Sequence, residues 1–356
     1  MRNAMRNAML VMAFLALSLS ACSDGDSVDF PDGSTGDGGE GGGAVGGGGS
    51  DDGGDGDRAA VRQLINRYRS ETGLPALAEE DYLAEAATWH AGYQSVAAEL
   101  THVENNQANP FFRGSDLSQR INRAATGDPA TWPDGVTIVY EDVATNGDTA
   151  AVELWWNSVY HRQPLMRFDV QTLGYGDREH AARLPPGDRL PSNGHLYGTL
   201  NFAGDVTVTR SLSFWPADGL DDVPTAFNTD YEIPDPLDGD QGAGDNNIAP
   251  SIGRSGPPLH VIYPTNFASF TEMTVTLTRN DFATRVAVYV LVPSQAAPLN
   301  EGLADPIFYS DSYLDPGEVF ILPRSPLASG VEYEISVTAS VASGPLPGLS
   351  WRFRTR

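Results

Sequence analysis

The sequence predicts an α+β layered domain followed by an all-β sandwich. Three observations carry this. Apolar residues first recur at helical spacing, with Val61, Leu64, Ile65 and Tyr68 in the i, i+3, i+4, i+7 pattern. Residues 170–176, 196–202 and 206–214 alternate apolar and polar, as strands of an antiparallel sheet do. Beyond Leu259 the chain breaks into short β-rich runs separated by turn signals. Helices followed by strands argue for helix-on-sheet layers, and strands alone for a sandwich.

At 356 residues the chain has room for two domains. Residues 1–22 belong to neither. Arg2 and Arg6 give a positive start, residues 9–19 are apolar, and Leu19-Ser20-Ala21 precedes Cys22. That pattern is a secretory signal peptide, and its ending resembles a bacterial lipoprotein lipobox. The resemblance implies cleavage before Cys22 and lipidation of its thiol. Cys22 is the only cysteine in the chain, so no internal disulfide can form. Two or three acyl chains would anchor stably, since each buried methylene contributes about 0.8 kcal/mol. The expected location is the outer membrane or cell surface of a bacterium.

Residues 23–57 are mostly Gly, Asp and Ser, with ten acidic residues between Asp24 and Asp57 and no Lys or Arg among them. Such a segment lacks the apolar surface to offset its ordering entropy, and the expectation is a disordered tether. The net charge of −25 argues against nucleic acid as a partner.

The folded region is expected over 58–212. A first helix starts at Arg58, capped by Asp57 and ended by Gly73. A second spans about 80–99, and a long loop rich in Asn, Pro and Gly follows to Gly135. Residues 136–143 read as a strand and 149–160 as a helix. Strands follow at 170–176, 196–202 and 206–214. An acidic connector, punctuated by Pro216, Pro224, Pro234 and Pro236, is expected over 213–258. The sandwich over 259–356 takes strands at 259–263, 273–278, 285–292, 307–309, 319–322, 333–339 and 350–353. On the helix at 149–160, Trp155, Ser158 and His161 recur every third residue and so share roughly one face.

Short motifs give this frame a family. Asn66, Arg69, Gly73, Leu74, Pro75 and Leu77 resemble the opening of the CAP superfamily, the cysteine-rich secretory, antigen 5 and pathogenesis-related proteins. Ala87-Thr88-Trp89-His90-Ala91 resembles its second-helix A-x-x-H-A, Thr101-His102 its Ser-His, and Glu141-Asp142-Val143-Ala144 its Glu-Asn-Ile-Ala. Trp155, Ser158, His161 and Arg162 resemble the bacterial W-x-x-S-P-x-H-R. Leu173-Gly174-Tyr175-Gly176 resembles the I-G-x-G that follows. The matches fall in family order over roughly residues 58–204, and imply an α-β-α sandwich. In the last region, Pro326-Leu327, Gly330, Tyr333 and Trp351-x-Phe353-x-Thr355 resemble a bacterial immunoglobulin-like domain.

The CAP resemblance implies a central cleft built from His102, Glu141 and His161, with Trp155 and Ser158 as support. Two imidazoles and a carboxylate suit a divalent metal such as zinc with an open position for water; the alternative is a hydrogen-bonded polar cluster that braces the cleft with no metal. A second family carboxylate is replaced here by Ser158, which weighs against a two-carboxylate mechanism. Neither H-E-x-x-H nor G-x-S-x-G occurs. His90 is expected to pack, His180 to be solvated. The expectation is a surface lipoprotein whose cleft binds a lipid, sterol, peptide or protein ligand. The competing readings are a metal-dependent hydrolase of extracellular peptide or envelope polymer, and an adhesin with a vestigial cleft.

Overall fold

Val61 and Ile65, the first apolar stripe, are fully buried on helix α1 (Gly53–Glu71). The computed structural model describes residues 53–191, 195–208, 211–229, 232, 234–237, 254–264, 269–281, 283–293, 299 and 305–356. The expected signal peptide, Cys22 and residues 23–52 of the expected tether lie outside them; residues 53–57 are instead the start of α1, so Asp57 lies within the helix and is not its cap. Gly73 ends the first helical stretch at φ 76°, a left-handed position open to glycine at little cost.

The first domain continues with β1 (Ala78–Glu79), α2 (Asp81–Ala97), α3 (Leu117–Thr126) and β2 (Ile138–Ala144). Then come α4 (Asp148–Trp156), α5 (Arg162–Met166), β3 (Val170–Asp177), α6 (Arg178–Ala182) and β4 (Gly198–Gly204). The sheet order is β1-β3-β4-β2, so β2 is an edge strand, antiparallel to β4. Side chains alternate across the strands and separate two layers. Tyr140, Leu173, Tyr175, Leu200 and Phe202 pack with α1 and α4. Val139 and Ala203 pack with Leu83 and Ala86 of α2 and Ile121 of α3. The result is helix, sheet, helix.

Helix α2 rests directly on β3. A Cβ at Gly174 would lie 2.1 Å from the Ala84 nitrogen, and one at Gly176 2.3 Å from that of Thr88. Only glycine allows that approach. Helix α3 falls in the stretch expected to be loop. Its N-cap is Asp116, which accepts from the Gln119 N–H at 2.9 Å, an Asp-x-x-Gln capping pair.

The second domain is a β-sandwich. Its strands are β5 (Ser213–Trp215), β6 (Leu220–Val223), β7 (Leu259–Ile262), β8 (Phe270–Arg279), β9 (Thr284–Val286), β10 (Val288–Pro293), β11 (Ile307–Asp311), β12 (Glu318–Pro323), β13 (Glu332–Val341), β14 (Gly344–Pro345) and β15 (Leu349–Thr355). They form sheets ordered β11-β10-β12-β7-β5 and β6-β15-β13-β8-β9. Two expectations are corrected here. The run 206–214 is not one strand of the first domain, because residues 206–208 turn and Ser213–Trp215 pairs with β7. The expected connector also supplies β6, which pairs with β15, so the sandwich begins near residue 213.

The two domains share buried contacts. Trp156 stacks on Tyr68 at 4.8 Å and meets Trp215 edge-on at 6.5 Å. Buried Arg162 lies over the Trp215 ring at 4.0 Å and donates to the Pro258 and Trp156 carbonyls. One apolar cluster runs from Val61 to Phe353.

Replacing Gly174 by Ala should lower unfolding stability by about 3 kcal/mol, because the clash is with backbone rather than a side-chain tip. Urea denaturation reads this directly. A midpoint equal to wild type would mean that α2 does not lie this close to β3.

Candidate functional site

Glu141 sits on the α2/α3 face of β2, in register with Asn201 of β4. Its side chain is only 2% exposed. Arg120 Nη2 donates to both Glu141 oxygens, at 2.8 and 2.7 Å. Arg120 is itself fully buried, and its Nη1 donates to the His102 carbonyl at 3.1 Å. The His102 ring lies at the rim, 43% exposed, with Nδ1 3.1 Å from Glu141 Oε1. Burial alone would push the Glu141 carboxyl up. The Arg120 guanidinium, then His90 and His102, reverse this and hold it well below the usual carboxylate range. An ionised carboxylate only accepts, so His102 Nδ1 carries the proton.

Behind this pair lies a second, closed one. His90 Nε2 is 2.6 Å from the Thr101 carbonyl and must donate to it. His90 Nδ1 is 3.0 Å from Glu104 Oε1, and Glu104 Oε2 accepts from the backbone N–H of Arg113 and Gly114 at 2.6 and 3.3 Å. His90 does pack, as expected, but within the charged floor of the site, 3.7 Å from Glu141 Oε1.

His161 is elsewhere. The sequence placed it on one helical face with Trp155 and Ser158, but α4 stops at Trp156. The reason is Glu232, from the stretch between β6 and β7 of the second domain. Its carboxylate accepts from the backbone N–H of Val159, Tyr160 and His161 at 2.8, 2.5 and 3.2 Å. Those donors are turned away from the helix. Glu232 also faces His161 Nδ1 at 3.2 Å. Ser158 Oγ donates to the Trp155 carbonyl at 2.8 Å and braces the turn. Trp155 is core, its Nε1 donating to the Val143 carbonyl at 3.1 Å. Of the three expected cleft residues, the structure joins His102 to Glu141 and leaves His161 on Glu232.

Strand alternation explains the split. Asp142, next to Glu141, points to the opposite face of β2 and toward His161. Burial pushes the Asp142 carboxyl well above its usual range; His161 pulls against this, and Glu232 and Glu141 add to it. Burial would lower the His161 imidazole, but the Glu232 hydrogen bond, with Asp142 behind it, raises it instead.

A divalent metal, one of the two readings open for the cleft, does not fit these residues. Both Glu141 oxygens are committed to Arg120, and His90 Nε2 donates to a carbonyl. Among the described residues, no three His, Cys, Asp or Glu side chains gather as a metal site. Sequence reasoning missed Arg120, Glu104 and Glu232. The Asp116–Gln119 capping pair was the signal that could have found the helix carrying Arg120; no local signal marks Glu232. His180, expected to be solvated, is buried with Nδ1 2.7 Å from Asp177 Oδ1.

At the joint between the domains, Asp311 accepts from the Tyr160 hydroxyl at 2.9 Å and the Tyr313 N–H at 2.8 Å. Burial raises its carboxyl to about 6 despite these bonds, with Glu232 adding. The folded protein therefore holds this proton more tightly than the unfolded chain, where an Asp titrates near about 4. Its stabilising effect is complete below about pH 4 and is lost as pH rises through about 6. Asp311→Asn should raise the melting temperature over wild type at about pH 8 and lose that advantage by about pH 4. A difference that does not vary with pH would contradict the assignment.

With the geometry established, comparison with known proteins adds the family. Residues 62–184 match the model of the cysteine-rich secretory protein family, CAP. The chain is similar to an extracellular protein containing an SCP domain from Bacillus anthracis str. Ames, 23% identical, with a TM-score of 0.32, over 42% of this chain and 41% of that one. It is also similar to a cysteine-rich secretory protein from Staphylococcus aureus, 14% identical, with a TM-score of 0.29, over 44% and 40%. The chain thus spans about two fifths of the solved structures it matches. No curated protein matches it. Residues 62–184 of this chain are a domain of the CAP family.

Proposed function

We propose that the chain is an exported, surface-anchored lipoprotein whose CAP domain is a binding module, carried on a Gly/Asp/Ser tether and backed by an immunoglobulin-like sandwich. The observation that carries the reading is His102. Its ring is 43% exposed while its Nδ1 is held by Glu141, so an oriented imidazole stands over a closed, charge-paired floor. Recognition needs such a fixed polar group beside a surface. A lipid, sterol, peptide or protein partner would each suit it.

The same His102–Glu141 pair could orient a general base, which keeps hydrolysis of extracellular peptide or envelope polymer as the competing reading. Hydrolysis would also need a nucleophile or metal-bound water brought to His102. Casein and purified peptidoglycan, incubated with protein with and without added zinc, should show no turnover above that of His102→Ala. Turnover abolished in His102→Ala would establish the hydrolase instead.

The lipid anchor is tested separately. Metabolic labelling with a tagged fatty acid should mark wild type and not Cys22→Ser. Equal labelling of both would remove the anchor from the account.

A further inference from the structure

We propose that Arg120 is the resident cation of the cleft, standing where a divalent metal would act, and that this one residue keeps the site metal-free. The polar groups able to ligate an ion are present. Glu141 has His102 Nδ1 at 3.1 Å and His90 Nε2 at 3.7 Å, with Glu104 beyond His90 at 3.0 Å. What they lack is a free lone pair aimed at a common point. Arg120 takes both oxygens of Glu141 through Nη2 and holds the His102 carbonyl through Nη1. Its Nε, 3.9 Å from Glu104 Oε1, faces the second carboxylate.

The charges close without an ion. Glu141 and Glu104 are balanced by the Arg120 guanidinium and by the proton held between His90 and Glu104. His161, which a three-ligand site would draw on, is engaged by Glu232 near the Asp142 face of β2. Adding a dication would leave the buried floor with an uncompensated positive charge. Removing the guanidinium reverses this. Glu141 is then a buried carboxylate without its counterion, beside the His102 imidazole, which can turn a lone pair toward it. A zinc ion there regains both the charge and the ligands. The specificity of the cleft for metal-free ligands thus rests on a side chain from α3.

The inference concerns the cleft proposed above as a recognition site, and its test reads metal alone, so ligand recognition can fail without it. Zinc is titrated calorimetrically into the full-length protein, Arg120→Met, Arg120→Gln and the double variant Arg120→Met/His102→Ala. Melting temperatures are measured with and without zinc, and folding by circular dichroism. Wild type should give no saturable heat and no zinc-dependent melting shift. Arg120→Met should melt below wild type, be raised by zinc, and bind it at least about tenfold more tightly than wild type. The double variant should lose that binding. Arg120→Gln, which keeps a hydrogen bond to Glu141, should gain zinc affinity in the same direction if Arg120→Met does not fold. Zinc binding by wild type as tight as by the variants would overturn the inference. So would the failure of zinc to bind or rescue both variants.

Discussion

The buried pair of Arg120 and Glu141 is the interaction on which the cleft depends. Two charges at 0% and 2% exposure are tolerated only together, because either alone would face several kcal/mol of desolvation. Their union fixes more than charge. It ties α3 to edge strand β2, anchors the His102 backbone through Arg120 Nη1, and sets the His102 ring through Glu141. The exposed imidazole is the visible end of a chain of contacts that begins in the core.

A second carboxylate organises the other side of the sheet. Glu232 draws three consecutive backbone N–H groups and one imidazole into a single turn after α4. The stretch from Trp155 to Arg162 becomes a joint between domains rather than a wall of the cleft. Trp156 and Arg162 meet Trp215, and Tyr160 reaches Asp311 of the sandwich. Glu141, with its Arg120 and His102 partners, lies on one face of β2 and the domain coupling on the other. A one-residue step along the strand, from Glu141 to Asp142, separates them.

Much of the fold was legible because it rests on local pattern. The α1 stripe, the glycine stop at Gly73 and the alternating strands of the sandwich needed only periodicity and turn chemistry. Gly174 and Gly176 were legible through family resemblance, and the close approach of α2 gives their physical reason. Helix α3 was missed although its capping pair was in view, because a long polar stretch outweighed one local signal. The end of α4 was hidden for a different reason. Its backbone donors are taken by Glu232, about seventy residues away in sequence, and helix propensity carries no trace of such a partner. His102 and Glu141 came together because the motif fixed both; His161 did not because the same motif says nothing of a following domain.

Arg120 and Glu141 act as one unit. A double-mutant cycle with Arg120→Met, Glu141→Gln and their combination, read by urea denaturation, isolates that coupling. Each single variant should lose about 3 kcal/mol or more, and the double variant about as much as one single variant rather than the sum, a coupling energy of about 2–3 kcal/mol. Additive losses, with coupling near zero, would contradict the claim that this ion pair holds the cleft together.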